Sequence, residues 1–156
     1  MRMAIRAVRP DAVVHLGDYY DDGEEMASEF PQVVFHLVGG NCDRFRSYRV
    51  IPERLCYPVC GAKLLMVHGH NHHVKSGLWS LLEDARASGV QAVLYGHTHS
   101  ADCHREEDGL WVLNPGACGS SGGSVGVVEV LNGEISSCCV LYAQDLRILS
   151  QSTCQK

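Results

Sequence analysis

Val67-His68-Gly69-His70 and Gly96-His97-Thr98-His99 decide how this chain is read. A short apolar run precedes each quartet, residues 63–67 the first and residues 90–95 the second. Two earlier runs stop in the same manner, 12–16 at Gly17-Asp18 and 33–38 at Gly39-Gly40-Asn41-Cys42-Asp43. Four apolar segments of strand length therefore each deliver a side chain of the metal-binding kind: Asp, Asn, His and His. In an open α/β sheet, ligands bind in the crevice outside the carboxyl ends of the strands. A stray histidine has many bland explanations, but four such arrivals have few. They read as a metal site.

The 156 residues suffice for one domain that buries roughly 70% of its unfolded surface. Apolar residues make up 46% and charged ones 20%, the balance of an ordinary globular domain. A formal net charge of −5 argues against a general nucleic-acid binder or an anionic-membrane binder. No apolar run approaches the ~20 residues that span a bilayer, and none has signal-peptide form. The expected compartment is the cytoplasm. Eight cysteines are many for this length. Cys56 and Cys60 form C-x3-C with no second pair at zinc spacing, and a disulfide framework is not expected without a secretory signal. Most are expected to be small buried apolar residues, with Cys42 set apart by its position.

Residues 1–8 have helical apolar spacing and end before Pro10. Residues 12–16 and 33–38 read as buried parallel strands, with His15 and His36 as packed histidines inside them. Residues 22–30 suit a short acidic helix, and 78–87 an amphipathic one with Leu78, Leu81, Leu82 and Ala85 on one face and Gly89 as its stop. Between them, residues 43–58 carry Arg44, Arg46, Arg49 and Arg54, either as a solvated loop or as a cationic rim for an anionic substrate. Residues 57–60 and 63–67 flank Gly61-Ala62 as a hairpin. After His99 the alternation gives way to a meander of strands at 102–106, 110–114, 124–131 and 134–142. Asp108-Gly109, a Gly/Ser-rich stretch and Asn132-Gly133 are its turns. Residues 143–156 read as a frayed tail. The expected architecture is an α/β sandwich of two sheets with helices outside.

The ordered set Gly17-Asp18, Gly40-Asn41-Cys42-Asp43, His68-Gly69-His70, Gly96-His97-Thr98-His99 and Asn114-Pro115-Gly116 resembles the calcineurin-like metallophosphoesterase superfamily. Within it, the likeness is to the small single-domain phosphodiesterases of bacteria and archaea. The resemblance implies a four-layer α/β/β/α sandwich of two mixed sheets with a two-metal centre above the strand ends. By position, Asp18 would bridge both metals, Asn41, His68 and His97 would complete the second, and His99 would belong to the first. Imidazoles and an amide oxygen suit Mn²⁺, Ni²⁺, Fe or Zn²⁺, with manganese as the leading expectation. The implied activity is hydrolysis of a small organic phosphodiester through a hydroxide activated between the metals. Asp18, Asn41, Cys42 and His70 are the implied catalytic residues.

Two departures shape the expectation. Cys42 stands where many members carry a histidine that protonates the leaving group. A thiol, with an ordinary pKa of about 8.5, is a poorer general acid at neutral pH. His70 or His72 is the candidate assistant, the alternative being a supporting or solvent-facing histidine. The family also opens with a strand ending in Asp-x-His, which supplies two ligands to the first metal. No such segment precedes Asp18, and Asp102-Cys103-His104 falls in a hairpin and reads as coincidence. The chain thus resembles a member lacking roughly its first 20 residues. The first metal keeps Asp18 and His99, so impaired activity is expected, and a homodimer is one compensation for an exposed sheet edge. The competing function is a protein-interaction scaffold with a degenerate metal site, as in the retromer coat.

Overall fold

The computed structural model describes residues 1–43, 50–119 and 122–153, with side chains as far as residue 150. Alternation of apolar side chains builds its central sheet. Strands β3 (Arg54–Val59), β4 (Ala62–Val67), β5 (Ala92–Leu94), β6 (Ala101–Arg105) and β7 (Trp111–Pro115) pair in the order β3-β4-β5-β7-β6. β4, β5 and β7 run parallel, and β3 and β6 close the edges antiparallel. Successive strand residues face opposite sides, so Leu64, Met66, Ala92, Leu94, Trp111 and Leu113 enter one core. Leu65, Val67, Val93, Tyr95 and Val112 enter another on the reverse face. Helix α3 (Trp79–Ala87) covers that reverse face with Leu81 and Ala85, both fully buried.

The first core is covered by a second β layer. β1 (Ala12–His15) and β2 (Val34–Leu37) form a parallel pair. β8 (Ser124–Leu131), β9 (Glu134–Tyr142) and β10 (Ile148–Thr153) form an antiparallel triplet. Ala12 and Val14 pack against the same core as Val128 and Val130. Helices α1 (Arg2–Val8) and α2 (Tyr20–Glu29) lie outside the pair, where Ile5 and Met26 meet Val13 and Phe35. The order is therefore α/β/β/α, the expected fold class. Within the second layer, β1 pairs with β2 and β8 with β9, and the two groups are not joined to each other among the described residues. All four β1 residues are half-exposed although apolar neighbours cover both faces, so their exposure opens along the strand edge.

Four expectations need correction. The hairpin between β3 and β4 turns on Cys60-Gly61, not Gly61-Ala62: both turn residues have positive φ, at 52° and 91°, and Val59 faces Ala62 in register. That is the geometry of a two-residue primed turn. The tail expected to fray instead supplies β10, because Asp145 accepts from the Arg147 backbone N–H and turns the chain back along β9. Of the seven described cysteines only Cys103 and Cys138 are buried, since Cys60 is held at the hairpin corner and Cys42 and Cys118 lie on exposed loops. Arg54 belongs to no loop: it lies in β3 and pairs with Asp84 of α3 at 2.8 Å. Arg44, Arg46 and Arg49 lie outside the described residues. Among those described, no helix is long and apolar enough to cross a membrane.

Candidate metal centre

Four strand ends converge as the sequence predicts. Asp18 follows β1, Asn41 follows β2, His68 follows β4, and His97 and His99 follow β5. Two glycines let the first two loops interlock. A Cβ on Gly17, at φ +91°, would stand 2.7 Å from Gly40 N and 2.8 Å from His68 Nδ1. One on Gly40 would stand 2.4 Å from Asp18 Oδ1. No side chain fits at either. Asp43, 3% exposed, then locks the loops, accepting from Gly40 N at 2.7 Å and from Tyr20 N at 2.9 Å.

His68 is 2% exposed, and its tautomer is fixed by its partners. Nδ1 stands 2.6 Å from the Leu16 carbonyl, which only accepts, so Nδ1 carries the proton. In the neutral ring Nε2 then presents a lone pair. Around it lie Asn41 Oδ1 at 3.2 Å, His97 Nδ1 at 3.2 Å and Asp18 Oδ1 at 3.5 Å. The Asn41 amide nitrogen faces Cys42 Sγ instead, at 3.6 Å. A proton on one ring can satisfy the His68–His97 contact, while a divalent cation among the four atoms would draw on all of them at once. Ligand atoms about 2.1 Å from one tetrahedral cation would stand roughly 3.4 Å apart, the spacing seen here. These residues fit a divalent cation. The fit depends on the Asn41 amide: among the described residues no group of three or more His, Cys, Asp and Glu side chains gathers as a metal cluster alone.

The electrostatics agree. Burial acts to raise the Asp18 carboxyl, but the Cys42 thiol and amide with the His68 and His99 imidazoles outweigh it. Asp18 is thus held below its ordinary value, as an anion. Burial, then Lys75 and the neighbouring histidines, lower His97 and keep its ring neutral for coordination. His99 stands apart from this set: its Nε2 is 3.6 Å from Asp18 Oδ2 and its side chain is 65% exposed.

The remaining predicted residues divide. Cys42 lies at the site, its backbone N–H 3.2 Å from Asp18 Oδ1. His70 is adjacent, its ring 5.3 Å from that of His68 and its Nε2 3.9 Å from Glu53. His72 is turned away, bonded to Asp84 at 3.1 Å, and takes no part. His15 and His36 are packing residues, as read: His15 lies against Gly23, and His36 Nδ1 meets the Tyr57 hydroxyl at 2.8 Å. Asp102 and His104 pair with each other on β6, away from the five converging residues. Sequence reasoning assigned no role to Asp43, Thr98 or Asn114. For Asp43 a signal was present, an acidic residue three after Gly40 in a turn sequence.

Layers and site together define the class: a protein of the metallophosphoesterase fold. The calcineurin-like phosphoesterase superfamily domain matches residues 2–133, and the chain belongs to that superfamily. It is 28% identical over 108 residues to the probable metallophosphoesterase YsnB of Bacillus subtilis, covering 69% of this chain and 59% of that protein's length. A predicted phosphoesterase of Streptococcus pneumoniae has a structure similar at TM-score 0.75 and 23% identity, over 99% of this chain and 88% of its own. Vacuolar protein sorting 29 of Cryptosporidium parvum is similar at TM-score 0.74 and 19% identity, over 97% and 88%. At these identities the structural likenesses show the fold alone.

Proposed function

We propose that this chain is a metal-dependent phosphodiesterase acting on small organic phosphodiesters. The observation that carries the reading is the convergence of Asp18 Oδ1, Asn41 Oδ1 and His97 Nδ1 on His68 Nε2. Asp18, Asn41, His68 and His97 would hold one divalent cation, manganese in the first instance. Asp18 and His99 would offer the thinner set for a second. Bound there, a cation supplies Lewis acidity toward the phosphoryl group and activates water for in-line attack. The chain's own residues do the rest. Asp18 would serve both sets, with Oδ1 toward His68 and Oδ2 toward His99. Asn41 and Cys42 are exposed, so the Cys42 proton can meet a departing alkoxide. His70, with its ring 5.3 Å from that of His68, would be a further proton carrier. With two donors for the second cation, turnover is expected to be low and to rise with added metal. The edge strands left by the separate β1–β2 pair and β8–β10 triplet support association as a homodimer in the cytoplasm, which mass in solution tests.

The test is metal content per purified chain, paired with hydrolysis of bis(p-nitrophenyl) phosphate with and without Mn²⁺. At least one Mn²⁺ per chain is expected, with turnover that needs the metal and disappears in His68→Ala. Folded protein that takes up no Mn²⁺ and turns over nothing would reject the enzyme and put the scaffold reading in its place.

A further inference from the structure

The loop that carries His97 and His99 is strained, and a buried amide outside the ligand set holds it. Both histidines have positive φ, 67° and 59°. Left-handed backbone at a residue with a Cβ is strained and persists only where its surroundings impose it. Here the imposing group is Asn114, the fully buried penultimate residue of β7. Its Nδ2 donates to the Gly96 carbonyl at 3.2 Å and to Thr98 Oγ1 at 2.9 Å. Its Oδ1 accepts from Gly116 N at 3.0 Å, which fixes the amide's orientation. Those two donations bracket His97.

Thr98 extends the grip to His99. Its Oγ1 also accepts from Ser100 N at 3.2 Å, and its own N–H donates to the Gly96 carbonyl at 2.8 Å. The Thr98 hydroxyl therefore joins Ser100, after His99, to the Asn114 amide, which itself holds Gly96, before His97. We infer that Asn114, acting through Thr98, is the positioning residue that holds His97 and His99 in the conformation from which their rings reach His68 and Asp18. The inference rests on the metal-centre reading above. It assigns the Asn-Pro-Gly motif at 114–116 a task in cation affinity, in addition to packing. The isostere lacking the hydroxyl leaves the loop free to relax to right-handed backbone, which swings both imidazoles off their targets.

The experiment compares Thr98→Val with Thr98→Ser on the full chain, because Thr98 is half-exposed and neither change empties the core. Three quantities are measured: Mn²⁺ affinity by calorimetry, thermal midpoint of the metal-free protein, and amide exchange at residues 96–100 by NMR. Thr98→Val is expected to weaken Mn²⁺ binding about 10-fold or more, the scale of losing a group that orients a metal ligand. Its amide exchange should quicken at 96–100 while the metal-free midpoint stays within about 2 °C of wild type. Thr98→Ser, which keeps the hydroxyl, should restore affinity to within about 3-fold, since it regains the bond on which that 10-fold loss depends. Unchanged affinity in Thr98→Val overturns the tether. So does a loss that Thr98→Ser fails to rescue, or one matched by an equal fall in metal-free stability. Wild-type protein that binds no Mn²⁺ overturns the metal-centre reading itself, a distinct result.

Discussion

Cys42 directs both its thiol and its backbone N–H at the Asp18 carboxylate, and this fixes what its removal should do. A proton donor matters only when the leaving group is too basic to depart alone. Cys42→Ala should therefore lower kcat about 100-fold on a diester with an alkyl leaving group and under about 3-fold on a nitrophenyl one. Equal losses on both substrates would instead make the thiol a support for Asp18. The convergence of the five candidate ligands was legible because each follows an apolar run whose length and composition are local facts. Of Asp43 only its local bond to Gly40 carried a signal, and Asn114 carried none, though both stand in quoted motifs. Their work is to join segments distant in sequence: Asp43 reaches Tyr20 across 23 positions, and Asn114 reaches Thr98 across 16. No spacing rule along one segment reports such a bond.

At the scale of elements, periodicity was the reliable guide. Leu81 and Ala85 of α3 are buried against Leu65, Val93 and Val112, as the 3.6-residue pattern required. Leu81→Ala should cost about 2–5 kcal/mol in urea unfolding, chiefly by opening a cavity under the helix. β8 and β9 were legible to the residue because Asn132 and Gly133, both at positive φ, permit little but a two-residue turn. The β3–β4 turn was misplaced by one position since nothing in Cys60 advertises left-handed backbone. α3 is also pinned by Arg54, whose guanidinium grips Asp84 and holds that carboxyl to about 2, below its ordinary 3.8. The native state thus binds the Asp84 proton less readily than the unfolded chain. The pair's contribution is complete above about pH 4 and fades as pH falls toward about 2. Wild type should therefore be more stable than Asp84→Asn at pH 7, and the gap should shrink between pH 4 and 2. Urea midpoints across that range check it. A constant gap would assign the effect to packing.

For the whole molecule, the site is a seam. Asp18 and Asn41 come from the β1–β2 pair, while His68, His97 and His99 come from the five-stranded sheet. The division of the second layer was legible in the sequence only as an edge left open. Which strands remain joined depends on pairings that β10, read as a tail, helps to make. Because β1–β2 is held by two hydrogen-bonded strands, its packing and the seam, a cation bound across the seam acts as a cross-link between the layers. Binding to the native state alone stabilises by RT ln(1 + [L]/Kd), about 2.7 kcal/mol at 100 Kd. Chelator-treated protein titrated with Mn²⁺ should show its urea midpoint rise accordingly, and His68→Ala should show no rise. Native-state hydrogen exchange gives the finer reading. Protection should increase at Ala12–His15 and Val34–Leu37, whose opening breaks the cross-link, and change little in β8 and β9, which contribute no ligand. Protection gained evenly through all the strands would place the cation's effect on global unfolding alone. Gained in β8 and β9 first, it would move the binding site away from the β1–β2 seam.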